Sequence, residues 1–251
     1  MELAINMYSF RIRLFSGLLL AFCTLTVYAQ PAVSGAENEF LTIFNVARDK
    51  SAIDPLIQNG SYYENPYYNA KGHPYIGDGE IGSGSVLYRN KTYSGVSLLF
   101  DIFNQQVILG KRSNGVMRMN VLTDDFISAF TIDSVAYKRL DFENSQFLYY
   151  QVVAETDLLG CYYYLYKSRM ESRDAGKMMI YSFSDPKRKS YILIDGAYYR
   201  YKSNSSFVKI FPDSSRDPIK KYLKANKISV NEANDHTMRA VMQFCHKTLK
   251  Q

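Results

Sequence analysis

The chain has no tryptophan, three histidines and three cysteines in 251 residues. Without Trp it lacks the large ring that sugar-binding platforms favour. His236 and His246 lie ten residues apart on one C-terminal helical pattern, about 80° from each other around a helix. They cannot form an i, i+4 ligand pair, and His73 stands alone, so no metal centre and no cofactor are expected. Cys161 and Cys245 are too few for a disulfide scaffold. Cys161 falls in a Tyr-rich strand and Cys245 on an apolar helical stripe, positions that suit buried thiols. The formal charge of +6 is scattered, apart from the short runs Lys187-Arg188-Lys189 and Lys220-Lys221. Nucleic-acid readers concentrate such charge in a stripe, so no nucleic-acid partner is expected.

Long apolar runs are also missing. The longest, Leu14 to Thr26, falls short of the roughly 20 residues a spanning helix needs. Arg11 and Arg13 precede it, and Val27-Tyr28-Ala29 places small residues three and one before a cut. This is the layout of a secretory signal peptide over residues 1–29. Leu20-Ala21-Phe22-Cys23 begins like a lipobox, but Phe22 is bulky where a small residue is wanted. The expectation is an exported chain, periplasmic or outer-membrane-associated, with no transmembrane segment after cleavage.

What is present reads as one β-rich domain over residues 30–251, with a C-terminal helical cap over about 205–251. Ser34 to Arg48 carries apolar residues at helical spacing, Phe40, Ile43, Phe44 and Ala47, and predicts a short N-terminal helix. Residues 61–84 are rich in Tyr, Gly, Asn and Pro without a period, as in a long ordered loop. From Ser85 to Tyr201, β-branched and aromatic runs alternate with turn residues such as Asn104-Gln105, Asp124-Asp125 and Asp195-Gly196. That rhythm predicts an antiparallel meander sheet or partial barrel in a mainly β (α+β) fold. Beyond it, Ser205 can cap a short helix, Asp217-Pro218 starts a second, and residues 231–249 form a third. Met238, Val241, Met242, Cys245 and Leu249 make one apolar stripe on that last helix.

Chemistry-bearing motifs are weak. Gly77-Asp78-Gly79-Glu80-Ile81-Gly82 has the spacing of a dinucleotide fingerprint, but a loop precedes it, a strand follows, and its acids would repel phosphate. His73, Asp78 and Glu80 share that loop, and Asp101 shares a strand face with Leu99 and Phe103. A buried carboxylate is costly unless paired or protonated, so Asp101 is either a functional acid or an internally bonded one. Tyr63, Tyr67, Tyr68 and Tyr75 add aromatic rings, which with His73 and Asp101 make up the candidate ligand- or partner-binding residues. Tyr162, Tyr164 and Tyr166 line one strand face, where packing is the simpler role. No catalytic residue is assigned, although a hydrolase using the His73–Glu80 loop and Asp101 is the alternative to a binding module.

Gly72-His73-Pro74-Tyr75, Gly84-Ser85-Val86-Leu87-Tyr88, Phe100-Asp101-Ile102, Phe211-Pro212-Asp213 and Ile219-Lys220-Lys221-Tyr222, in this order, resemble a group of secreted proteins common in Bacteroidota. The group has no established activity. The resemblance covers about residues 72 to 225 and implies a periplasmic or cell-envelope address. It also implies that the sequons at Asn59, Asn90 and Asn204 are accidental. A helix-capped sheet of this kind is separately expected to bind an envelope protein or an apolar ligand such as a lipid. The first expected outcome is that mass spectrometry of the exported protein finds Gln30 at the N-terminus. An intact Met1 on protein recovered outside the cytoplasm would contradict the leader assignment.

Overall fold

The computed structural model describes Ile57 and residues 60–113, 116–142, 147–173 and 179–250. The leader, the Ser34–Arg48 helix and the Asn59 sequon lie outside these residues. Thirteen strands follow in order: β1 (Ser61–Tyr62), β2 (Gly82–Tyr88), β3 (Lys91–Asp101), β4 (Gln106–Ser113), β5 (Val116–Val121), β6 (Ile127–Ile132), β7 (Val135–Asp141), β8 (Phe147–Glu155), β9 (Leu159–Tyr166), β10 (Arg169–Arg173), β11 (Met179–Phe183), β12 (Lys187–Ile194) and β13 (Ala197–Tyr201). Helices α1 (Asn204–Val208), α2 (Asp213–Ala225) and α3 (Asp235–Leu249) complete the described chain.

Eleven strands form one antiparallel sheet in the order β1-β5-β4-β3-β2-β6-β7-β8-β9-β12-β13, and β10 pairs with β11 in a separate hairpin. The end strands β1 and β13 do not pair with each other, so the sheet is open and no barrel closes. The meander departs from simple order at β1, which pairs with β5, at the β10–β11 excursion, and at β6. β2 to β5 run outward as hairpins, and the chain then returns to lay β6 on the far side of β2.

That return is made by residues 122–126, including the short 3-10 turn Asp124–Phe126. Val121 lies level with Leu99, whereas Ile127 pairs with Tyr88 at the opposite end of β2. Four strand spacings and a strand length would separate them by roughly 30 Å in a flat sheet. Six residue steps reach only about 21 Å. The sheet must therefore curl around the link. Leu122 is buried beneath it and donates its N–H to the Val107 carbonyl at 2.9 Å, while Arg89 N–H bonds the Phe126 carbonyl at 2.8 Å.

The concave side is filled. In the first half Phe100, Phe130, Tyr137 and Tyr149 pack ring on ring, with centroids 4.8 to 5.8 Å apart, among Val86, Leu98, Ile102, Val107, Leu109 and Leu122. In the second half Cys161, Tyr163, Ile192 and Ile194 meet the helices through Phe207, Phe211, Ile219, Leu223, Met238, Val241, Met242 and Cys245. The apolar stripe read on α3 is thus its buried face. Outside, Tyr150, Tyr162 and Tyr191 cluster with Phe142 and Tyr198, so the strand-face tyrosines are sheet packing. Both cysteines are unpaired, and burial pushes each thiol up to about 12.

All three helix starts differ from the sequence reading, the last beginning at Asp235 after the Asn234 cap instead of at 231. α1 is capped by Ser203, whose side chain accepts from Ser206 N–H in a reciprocal box with the Ser206 hydroxyl. α2 begins at Asp213, so Pro218 sits inside it. The Arg216 guanidinium reaches back to the Phe211 and Lys209 carbonyls at 2.8 and 3.0 Å, which orders the turn ahead of Pro218.

Phe130 is 1% exposed and touches three other rings. Phe130→Ala is expected to cost about 3–5 kcal/mol in urea denaturation, with the m-value unchanged. A loss below about 1 kcal/mol would show a loosely filled interior.

Candidate functional site

The segment between β1 and β2 is tied down across the outer face of β3 to β5. Tyr63 N–H bonds the Met119 carbonyl at 2.8 Å, Ile76 N–H bonds Phe100 at 3.0 Å, and Ile102 N–H bonds Pro74 at 3.1 Å. At its middle, Lys71 exchanges backbone bonds with Tyr181 and Phe183 of the β10–β11 hairpin. Gly79 has φ +84°, and a Cβ there would stand 3.1 Å from the His73 ring, so the loop closes on His73 only with glycine.

This path gathers five of the six candidate residues. The Tyr63 and Tyr75 hydroxyls share a 2.6 Å hydrogen bond, and His73 stacks on Tyr75 at 5.8 Å. Tyr67 sits edge-on to Phe103, Tyr181 and Phe183, and its hydroxyl accepts from Arg169 at 2.8 Å. Tyr68 stands apart, 85% exposed. Lys167 was not singled out by the sequence. Its ammonium donates to the His73 carbonyl at 2.8 Å and lies 3.4 Å from Nδ1. Burial lowers the pKa of both His73 and Lys167. The only hint of Lys167 and Arg169 was their i, i+2 spacing after a strand.

Asp101 is fully buried. Its Oδ1 accepts the Phe103 and Asn104 N–H groups at 2.9 and 2.7 Å, and Oδ2 accepts Asn104 Nδ2 at 2.8 Å. The carboxylate is therefore spent on its own hairpin turn. Glu80 is exposed and its N–H bonds Asp78. The loop cluster braces the β10–β11 hairpin through the Lys71 backbone, the Tyr67–Arg169 bond and the Lys167–His73 bond. Among the described residues no group of three His, Cys, Asp or Glu side chains could hold a metal ion.

Open space lies beside the helices instead. One cleft of about 660 Å³ runs between α3 and β8, lined by Gln151, Glu155, Asp157, Asp235, Arg239, His246 and Lys250 among others. Gln151 donates to Asp235 at 2.6 Å, and Arg239 Nε donates to the Val153 carbonyl at 3.2 Å. Asp157 takes Lys250 at 3.2 Å and His246 Nε2 at 3.5 Å, and the Lys250 hydrogen bond holds its carboxyl below the usual range. The buried Nδ1 of His246 has no partner among the described residues. A second cleft, also of about 660 Å³, lies between α1 and α2. Both volumes fall in the roughly 300–1,000 Å³ range of ligand pockets. No helix among the described residues is long and apolar enough to cross a membrane.

No protein-family model matches the chain, and neither the curated proteins nor the solved structures contain a match to it.

Burial raises the Asp101 carboxyl above its usual 3.8, against the pull of its three donors and of Lys167. The folded chain then holds that proton more tightly than the unfolded one. Stability from this group therefore falls as pH rises from the ordinary Asp value through the raised one. Asp101→Asn keeps an acceptor for the turn and is expected to remove that slope. Asp101→Ala leaves buried donors unmet and is expected to cost about 1–3 kcal/mol at neutral pH. Urea denaturation from acid to neutral pH checks both, and an unchanged slope in the Asn variant would clear Asp101 as its source.

Proposed function

We propose that this protein is an exported, non-catalytic binding module of the cell envelope that holds a small polar ligand in the cleft between α3 and β8. The observation that carries this reading is the cleft itself: about 660 Å³, with Glu155 and Asp157 at the end of β8 and Asp235, Arg239, His246 and Lys250 along α3 and its end. Acids and cations interleaved around one cleft suit a zwitterion, whose amine meets the acids and whose carboxylate meets the cations. The leader pattern over residues 1–29 supports the exported address.

The filled concave face argues against carriage of an acyl chain beneath the sheet, because aromatic and aliphatic side chains already occupy it. The hydrolase alternative draws no support from the loop, where Asp101 and Tyr63 are bonded within the fold.

Short peptides and free amino acids are the zwitterions to screen by thermal unfolding. A ligand at a hundred times its Kd stabilises by about 2.7 kcal/mol, which for a chain of this size raises Tm by roughly 5–10 °C. Arg239→Ala is expected to abolish the shift while leaving the unliganded Tm within a few degrees. A panel without any shift, together with protein that carries no small molecule from the envelope, would contradict the reading.

A further inference from the structure

The cleft between α1 and α2 has a different chemistry and shares no lining residue with the polar one. Val208, Leu223 and Ile228 form its floor, and Lys209, Arg216, Lys220, Lys224 and Lys227 stand around it against the single acid Asp217. Arg216 is occupied by the Phe211 and Lys209 carbonyls and by Asp213. The four lysine ammonium groups form no ion pair among the described residues. Lys220 and Lys224 are one helical turn apart, a like-charge spacing that weakens a helix.

Two further features show that this recess is built. Asn204 clasps the turn after α2, with Nδ2 donating to the Ile228 carbonyl at 2.6 Å and Oδ1 accepting Val230 N–H at 2.8 Å. The wall is thus formed before any ligand arrives, which spares the ordering cost of binding. Lys227, just past the end of α2, has φ +53°. Glycine is the residue that fits this left-handed position without strain. The chain instead places a lysine there, at the mouth of a cleft already rimmed by cations.

We propose that this cleft is a binding site for an anionic amphiphile: a short alkyl chain seated on Val208, Leu223 and Ile228, with a carboxylate or phosphate head held by Lys209, Lys220, Lys224 and Lys227. The apolar floor recognises the chain, and the ring of ammonium groups recognises the head.

Calorimetry with monomeric dodecanoate and dodecyl phosphate, each below its micelle concentration, tests the site. Dodecyl maltoside and inorganic phosphate serve as the neutral-head and chainless controls. Both alkyl anions are expected to bind one per chain, at least tenfold tighter than either control. Equal binding of the two anions fits a fatty acid, and a preference for dodecyl phosphate fits a phospholipid-type head. Lys220→Ser with Lys224→Ser is expected to weaken binding at least tenfold. Lys227→Gly is the control for folding: it relieves the left-handed strain, so Tm holds or rises while affinity falls several-fold. The proposal is overturned if dodecyl maltoside or inorganic phosphate binds as well as the alkyl anions. It is also overturned if the lysine variants bind like wild type, or if the protein sediments with anionic phospholipid vesicles yet binds neither monomer.

Discussion

Everything in this fold depends on the short return between β5 and β6. Residues 122–126 must carry the chain from one end of the β2–β5 hairpins to the other and past β2, and the link is too short to do so across a flat sheet. The strands therefore wrap around it. Curling brings Phe100, Phe130, Tyr137 and Tyr149 from four different strands into one ring-on-ring cluster. Aromatic pairs in such edge and offset arrangements add about 0.5–1.5 kcal/mol each beyond their buried area. Gly84 is part of the same constraint, since a Cβ there would stand 1.8 Å from the Thr131 carbonyl where β2 and β6 approach.

A filled concave side has a functional consequence. Curved sheets backed by helices are natural containers, but only when side chains leave the middle empty. Here the rings close the first half and the helices close the second. Room for a ligand is left where the helices meet the sheet or each other. The two clefts that result differ in the charge of their walls, one mixed and one almost wholly basic. Residues of the helical cap line both clefts, and the sheet supports that cap from beneath.

The sequence made much of this legible, and its failures have physical causes. Strand positions followed from turn residues at short intervals, and the α3 stripe predicted the buried face because apolar residues at a 3.6-residue period share one side of a helix. The return between β5 and β6 left no local signal, because Leu122 reads as the end of the Val121 strand run and only its bond to Val107 reveals its role. The sequence placed Tyr63, Tyr67, Tyr68 and Tyr75 on one loop, and the structure packs Tyr63, Tyr67 and Tyr75 against neighbouring elements while Tyr68 stays exposed. Lys167 and Arg169 decide that, and they are about a hundred residues away in the chain. The basic cleft was hidden for the same reason. Lys220-Lys221 reads as a solvated pair until the Asn204 clasp draws α1 and the turn after α2 around it.

Native-state amide hydrogen exchange at Leu122 tests the central constraint most directly. If the return crosses a packed interior, its N–H, bonded to the Val107 carbonyl, opens only with the whole sheet and shows the protection of the β3 and β6 core. Exchange at Leu122 as fast as at exposed turn residues such as Asn90, with the neighbouring strands still protected, would contradict the curled, filled sheet on which the account rests.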